Sequence, residues 1–319
     1  MRPVRSAGLG LGLALVSAAA FGTSGTFARS LIDAGWSADA AVAVRVGVAA
    51  LLLAVPAALS LRGRWGVARR SLADIGLFGL LAVGAAQVGF FNAVRYLPVG
   101  VALLLEYSGI ILVMLWMWLR HGERPQRLTV AGAVAAVIGL SLVLDVTGDA
   151  RIDPLGVLWG LVAAVGLAAY FVLSARVHPE MPSVALACGG MAFGALVLVA
   201  LGLVGVLPQD ATFGTVEFAG RQVSWLVPAA GLILVAAVVS YVAGIGAARI
   251  LGAALSSFVG LTEVLFAVLI AWLVLGELPG LMQLIGGVFV VAGIALVRLD
   301  ALRREEQPPF ARSVTGVRQ

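Results

Sequence analysis

The sequence predicts an all-α integral membrane protein with ten transmembrane helices, arranged as two inverted five-helix repeats. Three observations predict this fold class. The 319 residues are 61% hydrophobic and 12% charged, whereas soluble domains are about 45–50% apolar and about 25% charged. Ten apolar runs follow one another along the chain. Two long stretches also match each other at a shift of 154 residues.

The apolar runs have the length that a membrane helix requires. A helix needs about 20 apolar residues to cross roughly 30 Å of hydrocarbon, and it bonds every backbone polar group internally. The mean hydropathy of the chain is +1.08. The first run follows a basic start and resembles a signal peptide, but further runs follow at once, so we expect it to remain as the first span. The runs comprise residues 8–28, 38–60, 74–94, 98–119, 128–146, 154–175, 183–207, 224–246, 253–275 and 280–297.

Arginine placement predicts that both termini are cytoplasmic. With the N-terminus inside, 16 of the 21 basic residues fall in inside segments and 4 in outside loops, while Arg45 lies within the second run. This asymmetry follows the positive-inside rule and accounts for the net charge of +5, so no nucleic-acid partner is needed. The polar segment 298–319 is predicted to be a disordered cytoplasmic tail.

An internal repeat divides the chain into two units, residues 8–146 and 154–297. The stretch RYLPVGVALLLEYSGIILVMLWMWLRHGERP (residues 95–125) aligns without a gap with RILGAALSSFVGLTEVLFAVLIAWLVLGELP (residues 249–279). The same register carries Gly132 onto Gly286 and Gly139 onto Gly293. Five helices per unit is an odd number, so the two units must face opposite sides of the membrane. Inverted repeats are a common transporter plan, with the substrate site near the midplane between the halves.

Two motifs carry a family resemblance. The pattern R-x-L-x-x-x-x-A enters the fourth run at Arg95, Leu97 and Ala102, and G-E-x-P ends the matched stretch of each half. Together with the short Gly- and Ala-rich runs, these motifs resemble the EamA branch of the drug/metabolite transporter superfamily, from about residue 8 to residue 297. The resemblance implies a ten-helix bundle with a central cavity and alternating access.

The resemblance leaves the substrate open. Many bacterial members export amino acids or related compounds, but the superfamily also contains nucleotide-sugar carriers. This sequence departs from the family pattern at Glu106 and Glu263, because the family has small or apolar residues there.

Three ionisable residues stand out inside apolar runs, where each costs about 2.5–3.5 kcal/mol and marks function by default. Arg45 and Glu106 are predicted at similar depth, roughly 10–12 Å from the outside. They could form a purely structural pair or belong to the substrate site. Glu263 is predicted near the midplane, on a face of small residues. We expect these acids to bind a cationic group of the substrate or to carry a proton.

Polar but uncharged residues in the runs are further candidates for lining the cavity, although such groups often bond a neighbouring helix instead. They are Gln87, Asn92, Tyr107, Tyr170, Tyr241, Ser257 and Thr262.

The function predicted is secondary transport of a small polar metabolite, an amino acid or related compound, in the direction of export across the bacterial inner membrane. No cofactor or metal is expected, since metalloprotease and phosphate-loop motifs are absent. No enzyme is expected, although a lipid-modifying membrane enzyme with Glu106 or Glu263 as general acid/base and a passive channel are the alternatives. The partners expected are the small-molecule substrate and the bilayer, and the oligomeric state stays open.

Overall fold

The computed structural model describes residues 3–97, 99–122, 124–144, 153–276 and 278–306. This part of the chain is a bundle of helices with one short β-hairpin, so the all-α class is confirmed. Nine of its helices are long and apolar enough to cross a membrane. The fifth predicted run corresponds to a shorter apolar helix, Arg127–Val143, which has 17 residues.

The first half follows the predicted order of runs. Its first, third and fourth runs are each divided into consecutive helical segments. The third contains a π-helical segment, Phe78–Ala85. The α-helices are α1 (Pro3–Gly22), α2 (Ser24–Asp33), α3 (Ala38–Ser60), α4 (Trp65–Arg70), α5 (Leu72–Leu77), α6 (Ala86–Tyr96), α7 (Val99–Tyr107), α8 (Gly109–His121) and α9 (Arg127–Val143).

The second half differs from the first in its first run, which is one continuous helix, and it has π-helical segments at Leu234–Val239 and Ala271–Leu275. The π-helical segments of the third and eighth runs overlap in the repeat register. The elements are α10 (Pro154–Arg176), α11 (Ser183–Leu203), β1 (Thr215–Phe218), β2 (Arg221–Ser224), α12 (Leu226–Ile233), α13 (Ser240–Leu251), α14 (Ala253–Gly260), α15 (Thr262–Ile270) and α16 (Leu281–Glu306).

Local sequence signals define several helix ends. The Ser37 hydroxyl accepts from the Ala40 N–H (3.2 Å), and the Asp153 carboxylate accepts from the Leu155 N–H (2.8 Å), so each residue caps the helix after it. Gly122 and Gly276 end their runs with φ of 70° and 75°, a left-handed conformation that glycine adopts without strain. These two glycines are equivalent in the repeat.

Glycines let repeat-related helices α9 and α16 cross in close backbone contact. A Cβ atom on Gly132 would lie 2.7 Å from the Gly293 carbonyl oxygen, and one on Gly139 would lie 2.6 Å from that of Gly286. Between membrane helices, close approach of this kind supplies the packing that the hydrophobic effect cannot. Other contacts join α1 to α13, α6 to α10 and α3 to α11.

The outer surface of the bundle is apolar. Leu51, Leu119 and Leu203 are 73%, 81% and 84% exposed. Extensive exposed apolar surface of this kind is typical of a protein that lies in a membrane.

A β-hairpin and the loop before it lie against α2 and the turn between α2 and α3, at one face of the bundle. In the hairpin, β1 pairs antiparallel with β2, and Phe218 stacks on Phe27 of α2 with ring centroids 5.5 Å apart. The loop before the hairpin bonds the turn between α2 and α3: the Ser37 N–H donates to the Asp210 carbonyl (2.8 Å) and the Trp36 indole N–H to the Thr212 carbonyl (2.6 Å). We call this assembly the rim; it consists of residues 34–37 and 208–225.

The last helix differs from the prediction in its extent. The apolar run was predicted to end at Val297, whereas α16 continues to Glu306. The first residues of the predicted disordered tail are therefore helical, and residues 307–319 lie outside the described part of the chain.

Candidate functional site

The fourth run is interrupted two residues after Glu106. α7 ends at Tyr107 and α8 begins at Gly109, with Ser108 between them in a turn. The Ser108 N–H donates to the carbonyls of both Leu104 and Leu105, and its hydroxyl donates to Leu105 O at 2.5 Å. A serine that bonds back to its own helix often bends that helix, and Glu106 lies beside this local irregularity.

The ninth run is interrupted at nearly the matching place, at Leu261, two residues before Glu263. α14 ends at Gly260 and α15 begins at Thr262. The Thr262 hydroxyl donates to Val259 O at 2.7 Å, as Ser108 does to its own helix. Ser108 and Thr262 are equivalent in the repeat, and the two carboxylates therefore lie beside related interruptions.

A cavity of about 1070 Å³ lies between the helices at this level. Its lining includes residues at helix ends on one face, such as Ile32, Ala38 and Leu278. Toward the other face it reaches Ala247, four residues before the end of α13, and Ser256, in the first turn of α14. More helix-end residues line the cavity on the face that carries the rim, so the cavity opens mainly toward that face.

Three charged side chains line the cavity. Arg45 of α3, Glu106 of α7 and Glu263 of α15 all line it, and they lie within electrostatic reach of one another. In the described residues, no Arg45 nitrogen lies within 4.0 Å of a carboxylate oxygen. The three charges are therefore neighbours without forming a direct ion pair.

Arg45 is fixed by a hydroxyl. Arg45 is only 5% exposed, and its Nη1 donates to the Ser24 hydroxyl at 2.8 Å. Its Nε is buried and has no hydrogen-bond partner among the described residues. A buried donor without a partner costs free energy, so the guanidinium retains capacity for an acceptor.

Aromatic side chains form the deep end of the cavity. The Phe21 and Tyr241 rings lie 5.1 Å apart, Tyr170 and Phe171 5.0 Å apart, and Tyr170 and Tyr241 5.6 Å apart, all edge to face. Tyr107 is close enough to Glu263 for the two side chains to interact. The site therefore combines fixed charges with apolar ring surfaces.

Comparison with known proteins identifies the family. The EamA-like transporter family matches the chain twice, over residues 8–145 and 154–299. The chain belongs to the EamA-like transporter family. This confirms the resemblance drawn from the sequence motifs.

Two similar proteins extend the comparison of this EamA-like chain. A probable terminal-alkyne amino-acid exporter of Streptantibioticus cattleyicolor is 28% identical over 275 residues, which make up 84% of this chain and 87% of the relative. A crystal structure of 21% sequence identity has a TM-score of 0.70 and covers 93% of this chain and 99% of that one. At this identity, the structural likeness shows the fold alone.

Family membership and the apolar helices make this EamA-like protein a multi-pass membrane transporter. The name of the family and that of the relative point to a transporter rather than an enzyme.

The EamA-like fold brings most of the sequence-predicted candidates together. Arg45, Glu106 and Glu263 line the cavity with Gln87, Tyr107, Tyr170 and Tyr241. Asn92, Ser257 and Thr262 are not among the lining residues. The Asn92 amide donates to Val88 O (2.8 Å) and accepts from Arg95 (3.1 Å), and the Ser257 hydroxyl donates to Ala254 O (2.7 Å). Any role of these residues in substrate binding stays a prediction.

The sequence interpretation of the EamA-like site missed two hydroxyls from the first run. Ser24 fixes Arg45, and Ser17, which lines the cavity, donates to the Ser240 carbonyl at 2.7 Å. Because these contacts join distant parts of the chain, helical spacing within one run could not reveal them. The small polar residues within the first apolar run were the sequence signal that could have indicated these contacts.

Proposed function

We propose that this protein is a secondary transporter that moves a small polar metabolite, an amino acid or related compound, across the bacterial inner membrane by alternating access, in the direction of export. The observation that carries the proposal is the cavity lined by Arg45, Glu106 and Glu263. Ionisable groups are costly inside a membrane and mark substrate or ion pathways. The name of the S. cattleyicolor relative supports the substrate class.

Reciprocal glycine contacts support an inverted arrangement of ten helices. Gly132 contacts Gly293 and Gly139 contacts Gly286, while the repeat register equates Gly132 with Gly286 and Gly139 with Gly293. Each glycine of one helix therefore contacts the repeat equivalent of the other glycine. Such reciprocal contacts are typical of two-fold symmetry. The helices α9 and α16 run antiparallel at this crossing. A pseudo-two-fold axis in the membrane plane relates two halves in this way.

Repeat-equivalent arginines lie in unequal surroundings, which supports alternating access. At the open face, Arg95 is 3.6 Å from the carboxylate of Asp39. At the opposite, closed face, Arg249 donates through Nη1 to the Met181 carbonyl, and its Nε and Nη2 are buried without a partner in the described residues. Exchange of these two environments between the halves would open the cavity to the other side.

We expect cysteines at Arg124 and Leu278, which are equivalent in the repeat, to be labelled from opposite sides of the membrane. Both residues are exposed beside the ends of their runs. With Cys188 replaced by Ser, an impermeant maleimide should label Leu278→Cys in intact cells and Arg124→Cys only in inverted vesicles. Labelling of both from one side would contradict the inverted topology, and labelling with the two sides exchanged would contradict the cytoplasmic termini.

Reconstitution tests the transport proposal itself. Proteoliposomes are screened with a metabolite mixture, with and without a pH gradient, and we expect a metabolite flux that saturates and shows counterflow. Flux that is linear in concentration and lacks counterflow would identify a passive channel instead. A purified protein that converts lipid and moves no solute would favour the membrane enzyme.

A further inference from the structure

The Arg45 guanidinium has a donor, Nε, for which the described residues supply no acceptor. The guanidinium lines the cavity, Arg45 is 5% exposed, and its Nη1 is fixed by Ser24. Its Nε finds no partner in the described residues. An arginine presents several donors in a rigid planar fork that matches a carboxylate. One occupied nitrogen therefore fixes the direction of the rest.

The two acids come from other helices than Arg45. Glu106 lies in the last turn of α7 and Glu263 in the first turn of α15. The positive end of a helix dipole lies at its first turn, which favours a carboxylate at Glu263 over one at Glu106. Neither carboxylate forms an ion pair with Arg45 among the described residues. The cavity thus presents separated charges of opposite sign to whatever enters it.

We propose that Arg45 binds the carboxylate of a zwitterionic substrate while Glu263 binds its ammonium group, an assignment that rests on the proposed transport function. The substrate then supplies the acceptor that Arg45 lacks and the cation that Glu263 lacks. The second acid, Glu106, has no counter-charge left within this arrangement.

Matched analogues of one amino acid separate the two charges. The assay is counterflow of labelled L-norvaline in proteoliposomes, inhibited by L-norvaline, by L-norvalinamide, which lacks the carboxylate, or by N-acetyl-L-norvaline, which lacks the ammonium group. On the wild-type protein we expect each analogue to inhibit at least about tenfold more weakly than L-norvaline, since a charged hydrogen bond is lost each time.

Substitutions then assign each charge to a residue. Arg45→Gln should weaken inhibition by L-norvaline about tenfold or more while leaving inhibition by L-norvalinamide unchanged, so the preference for a free carboxylate disappears. Glu263→Gln should remove the preference for a free ammonium group instead. Ser24→Ala keeps the cation but releases Nη1, and it should weaken the carboxylate preference in part. Arg221→Gln, on the exposed hairpin, is the matched control.

The outcomes separate this assignment from the transport proposal. If the proteoliposomes move no solute at all, the transport proposal fails. If they move solutes but no α-amino acid is among them, zwitterion binding is wrong while transport stands. If Arg45→Gln, or Ser24→Ala where Arg45→Gln does not fold, retains the wild-type preference for a free carboxylate, the assignment to Arg45 is wrong.

Discussion

Glu263→Gln is expected to lower the transport rate by about 100-fold while the protein still folds and reaches the membrane. Gln matches Glu in size, so packing at the start of α15 is kept. It can neither attract a cationic group nor release a proton. The 100-fold change corresponds to about 3 kcal/mol of binding free energy. A loss of this size is typical when a hydrogen bond to a charged group is removed in an enclosed site.

The measurement is transport in cells with surface expression confirmed, at several external pH values. Glu217→Gln is the matched control, because Glu217 is an exposed carboxylate on the hairpin. The charged and titratable groups that face Glu263 are Arg45, Glu106, Tyr107 and the cavity tyrosines. Transport with unchanged rate and unchanged pH dependence would exclude Glu263 from the mechanism.

Gly139→Ala is expected to destabilise the bundle by about 1–3 kcal/mol, the usual range for overpacking. The added Cβ would lie 2.6 Å from the Gly286 carbonyl oxygen and 2.7 Å from the Val290 nitrogen. Both atoms belong to the backbone of α16, so no side chain can move aside. The two helices must separate and lose the dispersion contacts that hold them together in lipid.

Thermal unfolding in detergent provides the measurement, and the expected change is a fall of several degrees in Tm. Gly12→Ala is the control, because a Cβ on Gly12 meets nothing within 4 Å. Gly286→Ala should act like Gly139→Ala, since the clash is reciprocal. Equal Tm values for Gly139→Ala and Gly12→Ala would show that the crossing tolerates a wider separation.

The succession of apolar runs was readable from the sequence, because a bilayer imposes one length and one composition on every span. Glu106 and Glu263 were readable for the same reason, since a carboxylate in hydrocarbon stands out. The polar neighbours were harder to assign. Ser257 and Thr262 bond their own helices, and sequence spacing shows the face of a helix but not the rotamer of a hydroxyl.

Long-range pairing explains the other differences. From the sequence, Glu106 was a possible ion-pair partner of Arg45, whereas in the structure the Arg45 guanidinium donates a hydrogen bond to the Ser24 hydroxyl. The hairpin was not predicted, because its two strands have only four residues each and lie between long apolar runs. Its signal was present in the alternation of TVEF and RQVS around Ala219-Gly220, a turn in which both residues have positive φ.

The rim has a mechanical consequence. Its hydrogen bonds join the turn between α2 and α3 to the loop that follows α11, so elements from both halves are tied together at one face. Under the proposed alternating access, we expect the tied ends to move together, so that the first run bends at a deeper position. The single-residue break at Thr23, between α1 and α2, is where we expect this bend.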